Sequence, residues 1–261
     1  MNTTQKLLNG KFSLEMQTYG SGGEPLLFIH GAGGLMPIEP FLDDLGKHFK
    51  VYAPQFPGYG DSTGNEYIDD IADAVLFYHE LMDEIGIPTA HIVGHSMGGM
   101  LAAEVAAFDI HRAKKLVLIA PAGFWIDETP IPDLFAAQLT EIAPLLFHDP
   151  NSPAAQMMTA IPTDFKELET MYVERVKRLA TASKFLWPIP DRGLKKRAYR
   201  IHAPTLLLWG DDDKLIAPVY AKEFTSRIKN SKLELIKNAG HMVMYEQQEA
   251  LVGAITKFLK G

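Results

Sequence analysis

Residues 90–93, Ala90-His91-Ile92-Val93, run without a break into Gly94-His95-Ser96-Met97-Gly98, and a helical pattern follows to residue 108. A strand that ends in G-x-S-x-G and passes straight into a helix must turn sharply. The small residues Gly94 and Gly98 permit that turn, and it lifts Ser96 clear of the backbone, so the hydroxyl is presented outward instead of capping the next helix. Ser96 is therefore a candidate nucleophile. The same spacing also describes a plain strand ending in a glycine turn, so the rest of the chain has to decide between them.

Around this point strands and helices alternate. Segments 25–30, 49–53, 90–93, 115–120, 204–209 and 232–236 read as strands, several of them nearly continuous apolar runs of the kind found where both sheet faces are covered. Helical patterns lie between them at 38–47, 68–85, 97–108, 219–228 and 247–259. In the second of these, Ile71, Val75, Tyr78 and Met82 recur at three- and four-residue steps, which defines one apolar face. Such alternation predicts a parallel sheet flanked by helices and joined by right-handed crossovers. Asn9-Gly10, set between alternating segments 4–8 and 11–18, adds an antiparallel hairpin at the start. The expected fold is thus α/β, with a mostly parallel eight-stranded sheet. After Ala120 the alternation breaks: residues 121–203 are proline-rich, with short helical stretches at 134–139 and 165–179 and no convincing strand. This predicts a helical cap inserted into a core formed by residues 1–120 and 204–261. Ordinary helices covering the sheet are the alternative.

Composition narrows the classes. A chain of 261 residues with 47% hydrophobic content suits one elaborated domain. With no cysteine there are no disulfides and no thiolate metal sites, which fits a reducing compartment. The first twenty residues lack an apolar run of signal-peptide length, and nowhere do 18 uncharged apolar residues follow one another, so a cytoplasmic protein without a membrane partner is expected. A net charge of -7 without a dense basic block argues against nucleic acid, and Lys195-Lys196-Arg197 reads as a solvated helix face. No histidine and carboxylate cluster has metal-ligand spacing, and Asp211 to Asp213 lack the glycine and terminal glutamate of a calcium loop, so neither metal nor cofactor is expected. A homo-oligomer remains open.

A serine hydroxyl needs a base within hydrogen-bond reach, and the base needs an acid to fix its tautomer. Among nine histidines, His241 lies in Asn238-Ala239-Gly240-His241 directly after the last predicted strand, where the carboxyl edge of a parallel sheet would bring it beside Ser96. His91 and His95 are expected to pack beside or beneath the turn. The acid should come from Asp211-Asp212-Asp213, again after a strand, in the chain order Ser, Asp, His; the other two aspartates would form turns or caps. For the oxyanion, the glycine-dense segment His30-Gly31-Ala32-Gly33-Gly34 follows a strand. The Ala32 amide with that of Met97 would make a two-donor hole, and Gly33 could replace Ala32. No G-x-G-x-x-G is present to support a nucleotide reading. The turn at residues 57–62 could form a pocket wall or be purely structural.

Taken together, these residues resemble the α/β-hydrolase superfamily over essentially the full chain. His-Gly-x-Gly-Gly, Pro-Gly-x-Gly-x-Ser, Gly-His-Ser-Met-Gly-Gly, Trp-Gly-x-x-Asp and Gly-His occur in the family's order. The resemblance implies Asp213 as the acid, and it is nearest to capped esterases, lactonases and cofactor-free perhydrolases. Relatives acting on carbon-halogen bonds or epoxides carry an aspartate where Ser96 stands, which excludes those reactions. Carbon-carbon bond hydrolases acting on vinylogous diketones usually have Asn before the nucleophile and Trp after the histidine, where this chain has His95 and Met242. They are the alternative, together with non-catalytic binding proteins of this fold. Hydroxynitrile lyases place a cap lysine at the triad, and Lys184 has no assignable place there.

The expected substrate is a small ester or lactone with a short or medium acyl chain and no charge near the carbonyl. Aromatic and aliphatic side chains of residues 121–203 should line its pocket, with Phe124, Trp125, Phe147 and Trp187 as candidates. Gly31, Gly33 and Met242, beside the expected oxyanion loop and base, join them.

Overall fold

The computed structural model describes residues 2–187 and 191–261. Its strands are β1 (Asn2–Leu7), β2 (Phe12–Tyr19), β3 (Pro25–Ile29), β4 (Lys50–Pro54), β5 (Ala90–His95), β6 (Ala113–Ile119), β7 (Thr205–Gly210) and β8 (Ser231–Ile236). They form one sheet in the order β1-β2-β4-β3-β5-β6-β7-β8. β2 pairs antiparallel with both β1 and β4, and all pairs from β3 and β4 onward are parallel. The helices are α1 (Pro40–Gly46), α2 (Ile71–Glu84), α3 (Met97–Phe108), α4 (Leu139–Leu146), α5 (Pro153–Thr159), α6 (Phe165–Leu186), α7 (Ala221–Thr225), α8 (Val243–Glu246) and α9 (Gln248–Lys260).

The continuous apolar strands are explained by their two covered faces. Side chains alternate across a strand, so Leu27, Ile29, Ile92, Leu116, Leu118, Leu207 and Trp209 join one core with α2 and α3, while Leu26, Phe28, Val93, Val117, Ile119, Leu206 and Leu208 join another with α1 and α9. Each such side chain contributes about 1.5–3 kcal/mol by leaving water.

Local chemistry sets the boundaries where the sequence pattern was too generous. α2 begins at Ile71 because the Asp70 carboxylate accepts from the amides of Ala72 and Asp73, at 2.7 and 3.1 Å. The first hairpin is wider than a two-residue turn: Leu7 pairs with Phe12, and Leu8, Asn9 and Gly10 all have positive φ. The expected helix at 134–139 is not formed. Asp133 instead accepts from the amides of Phe135 and Ala136, which bends the chain into a turn, and α4 starts only at Leu139. The helical pattern of 165–179 continues to Leu186.

Between β6 and β7 the chain makes its long excursion through α4, α5 and α6. The end of that excursion is tied to the core by an ion pair. Arg197 Nε and Nη2 each donate to the Glu104 carboxylate of α3 at 2.6 Å, and Glu104 is 0% exposed. The basic triplet therefore divides: Lys195 and Lys196 are exposed, whereas Arg197 is a structural partner. Among the described residues, no helix is long and apolar enough to cross a membrane.

Candidate active site

The triad candidates and the oxyanion loop lie just beyond the carboxyl ends of strands. Gly31 and Ala32 follow β3, Ser96 follows β5, Asp213 follows β7 and His241 follows β8. The chain leaves β3 toward β4 on one side and leaves the adjacent β5 toward β6 on the other, so a crevice opens beyond the carboxyl ends of β3 and β5.

Ser96 has φ 57° and ψ -120°, a conformation costing about 1–3 kcal/mol that the surroundings enforce. Its amide donates to the Ile119 carbonyl at 2.9 Å, and its own carbonyl accepts from the amides of Met100 and Ala122 at 3.1 and 3.0 Å. The glycines are required by close approach: a Cβ on Gly98 would run into the carbonyls of Ile29 and His30, and one on Gly94 into the Gly98 carbonyl.

His241 and Asp213 are both buried, and His241 Nδ1 donates to Asp213 Oδ2 at 2.8 Å. The other oxygen, Oδ1, accepts from the amides of Leu215 and Ile216, each at 2.9 Å. Asp213 is thus the aspartate held against the imidazole. Asp211 is exposed, and Asp212 pairs with Lys214 and with His148 Nδ1, at 3.2 and 2.8 Å. With Nδ1 engaged, Nε2 is the nitrogen left for Ser96. Both side chains border one cavity without a direct hydrogen bond in this geometry, a bond that in many hydrolases closes only around substrate.

Several further groups hold His241 in place, and of these Glu246 had no signal in the sequence. His95 Nε2 donates to the backbone carbonyl of His241 at 3.0 Å, and the two rings lie 4.8 Å apart. Burial pushes His95 down to about 3, so the ring is neutral and its one hydrogen is committed to that carbonyl. Glu246 accepts from the Gly240 amide with one oxygen and from the His148 amide with the other, both at 2.7 Å. Met242 N–H donates to the Leu146 carbonyl at 3.0 Å, which joins the base loop to α4. His91 packs its ring edge-on against Phe49 and bonds Glu24, remote from the reaction site.

On the opposite wall, Gly34 N–H donates to the Gly31 carbonyl at 3.1 Å and closes a turn with Ala32 and Gly33 at its corner. Ala32 and Gly33 both border the cavity, and among the described residues no backbone carbonyl accepts from the Ala32 or Met97 amide. Gly31 is closely packed: a Cβ there would lie 3.1 Å from His95 Nδ1 and 3.2 Å from Ser96 Cβ, so both would have to give way slightly. Beneath it His30 is pushed down to about 4 by burial; its Nε2 accepts from the Phe56 amide, which leaves Nδ1–H to donate to the Gly31 carbonyl.

The cavity measures about 820 Å³ and lies between these strand ends and the helices of the excursion, with Leu139, Ile142, Leu146, Met158 and Met171 as apolar wall. Of the substrate-binding candidates, Gly31, Gly33, Phe147 and Met242 border this cavity. Phe124 lines a smaller extension of about 70 Å³ that also reaches Ser96. Trp125 and Trp187 line neither. Trp125 Nε1 donates to Asp127, and Trp187 is 51% exposed with its ring against Phe135, so both are corrected to outer positions. The 57–62 turn is structural: Gly58 N–H donates to the Ser62 carbonyl, Ser62 Oγ accepts from the Glu15 amide, and Tyr59 is fully buried. Lys184 Nζ donates to the carbonyls of Asn65 and Ile68 at 2.8 and 2.7 Å, which anchors α6 away from the imidazole. Polar wall groups missed by an apolar count are Glu39, whose carboxyl burial pushes up while Tyr245 and the Met36 amide donate to it, and Arg178 on the inner face of α6.

These features define an α/β hydrolase. The family model described as "Alpha/beta hydrolase family" matches residues 26–254, and the chain belongs to that family. It is 30% identical to Lipase 3 of Moraxella sp. (strain TA144), over 94% of this chain and 86% of the lipase. It is 26% identical to a 2-hydroxy-6-oxononadienedioate/2-hydroxy-6-oxononatrienedioate hydrolase of Cupriavidus pinatubonensis (strain JMP 134 / LMG 1197), over 95% of this chain and 91% of that one. In shape it matches a crystal structure of a membrane phospholipase A, with a TM-score of 0.82 and 24% identity, covering 100% of this chain and 86% of that one; this likeness concerns the fold.

Proposed function

We propose that this protein hydrolyses carboxylic esters or lactones through an acyl-enzyme on Ser96. His241 Nε2 takes the hydroxyl proton as Oγ attacks the carbonyl, and Asp213 holds the imidazole in the tautomer that leaves Nε2 free. The amides of Ala32 and Met97 receive the oxyanion. His241 then gives the proton to the leaving alcohol, and water repeats the sequence on the acyl-enzyme. The excursion through α4, α5 and α6 serves as a cap whose side chains enclose the acyl group. The observation that carries this reading is the buried Asp213–His241 hydrogen bond, at the edge of the cavity that Ser96 enters from a strained turn.

Similarity to a lipase supports ester chemistry, and similarity to a carbon-carbon bond hydrolase keeps that reaction as the competing reading. A fluorophosphonate probe followed by peptide mapping tests the shared step. Modification at Ser96 alone, absent in Ser96→Ala, is the expected result; an unlabelled protein would point to a binding module instead. A panel of 4-nitrophenyl esters, lactones and vinylogous diketones then separates the two reactions.

A further inference from the structure

The cavity is apolar on most of its surface, yet Arg178 borders it from α6. Its Nε is shut off from solvent and has no hydrogen-bond partner, and among the described residues the guanidinium forms no ion pair. A buried donor left unmade is costly, so Nε calls for an acceptor from inside the cavity. We propose that Arg178 receives a carboxylate of the substrate, so that the ester or lactone cleaved at Ser96 carries an acidic group on its acyl part. This inference rests on the hydrolase reading and names its substrate class. It also revises the expectation of a substrate with no charge near the carbonyl.

The neighbouring charges leave this role to Arg178. Glu174, one turn earlier on the same face, bonds Lys177 at 2.8 Å instead of Arg178. Arg175 donates to the Ala137 carbonyl at 2.9 Å. Lys166, Glu167 and Asp164 border the far end of the cavity; Glu167 alone is about 16 Å along the helix axis from Arg178. Glu39 is on the opposite wall, engaged with Tyr245 and the Met36 amide. The charge of Arg178 also reaches the two buried groups His30 and Tyr59. His30 supports the Gly31 carbonyl, and a Cβ on Gly34 would lie 3.0 Å from the Tyr59 ring. Arg178 borders the same cavity as Ser96 and the turn at residues 31–34, so the guanidinium can hold an acidic group of a molecule whose carbonyl meets Ser96. A planar guanidinium with its donors in a fixed fork suits a carboxylate better than a neutral oxygen.

The test compares 4-nitrophenyl half-esters of succinate, glutarate and adipate with 4-nitrophenyl butanoate, pentanoate and hexanoate. The readout is the ratio of kcat/KM for each acidic ester to that of its neutral counterpart, in the native protein, Arg178→Gln and Arg178→Glu. At least one acidic ester should be preferred by the native protein, and Arg178→Gln should lower that ratio about 10- to 100-fold, mainly through KM. Arg178→Glu should lower it further. A native protein that prefers all the neutral esters, or a ratio unmoved while both activities fall together, overturns the proposal. Calorimetric titration of Ser96→Ala with glutarate, with and without Arg178→Gln, reads the contact without turnover. Binding that depends on Arg178 upholds the contact even where fluorophosphonate labelling has failed and the hydrolase reading with it. No binding in either protein, alongside a labelled Ser96, overturns this inference alone.

Discussion

Replacing Asp213 by Asn tests the site with almost no change of shape. Oδ1 of Asp213 accepts two backbone amides, from Leu215 and Ile216, and Oδ2 accepts from His241 Nδ1. An asparagine has one acceptor oxygen and one NH₂ donor. Turning the NH₂ toward Leu215 and Ile216 would set it against two other donors, so the carboxamide oxygen must stay there and the NH₂ must face Nδ1. The imidazole then has to accept at Nδ1 and carry its hydrogen at Nε2, which removes its capacity to take a proton from Ser96. In a serine triad this fault lowers kcat about 10⁴-fold. At about 1.4 kcal/mol per decade, the barrier rises by roughly 5–6 kcal/mol. The assay is steady-state hydrolysis of a 4-nitrophenyl ester, with thermal unfolding of the same preparation as control. Unfolding should be nearly unchanged, because both amide contacts survive. An Asp213→Asn protein within tenfold of native kcat would refute the tautomer argument and the role given to His241.

Other expectations follow from burial and charge. Arg197→Met leaves the Glu104 carboxylate buried without its partner, and the loss of stability should be about 3–5 kcal/mol in urea denaturation at neutral pH; a change under 1 kcal/mol would mean that the pair is not buried in solution. His30 and His95 are held neutral by burial, at about 4 and about 3, while their unfolded counterparts protonate near 6.5. Below that value the unfolded chain binds more protons than the folded one. Stability should therefore fall with pH from about 6.5 toward 4, by roughly 1 kcal/mol per unit for each ring, and a flat profile of unfolding free energy over this window would count against it. A cavity of about 820 Å³ bounds the acyl chain, so hexanoyl esters should be cleaved faster than hexadecanoyl esters; equal rates would show that the wall opens.

The strands and the residues at their ends were legible because each carries a local signal. β5 runs apolar into Ser96, β7 runs apolar into the Asp211 to Asp213 run, and Gly240-His241 closes the last strand's loop. Which aspartate bonds His241 rests on burial, and three adjacent carboxylates offer no local pattern for it; the family resemblance supplied that choice. The excursion was the least legible part. Asp133 diverts an apparently helical segment through its own side chain, and the outward settings of Trp125 and Trp187 rest on a bond to Asp127 and a ring contact with the distant Phe135. Arg197 looked like one of three solvated cations because its partner, Glu104, is 93 residues away. Arg178 was hidden in the same way: at helical spacing its neighbours Met171, Glu174 and Arg175 make a mixed face that hydrophobic periodicity does not register.

The bond from the His95 ring to the main chain of His241 couples two distant parts of the chain. It staples the loop after β8 to the strand that carries the nucleophile, through a ring that takes no part in proton transfer. The Met242 amide ties the same loop to the end of α4 through the Leu146 carbonyl, so the imidazole is held from a strand end on one side and from the excursion on the other. Substitutions around Leu146 would therefore be felt at His241 itself.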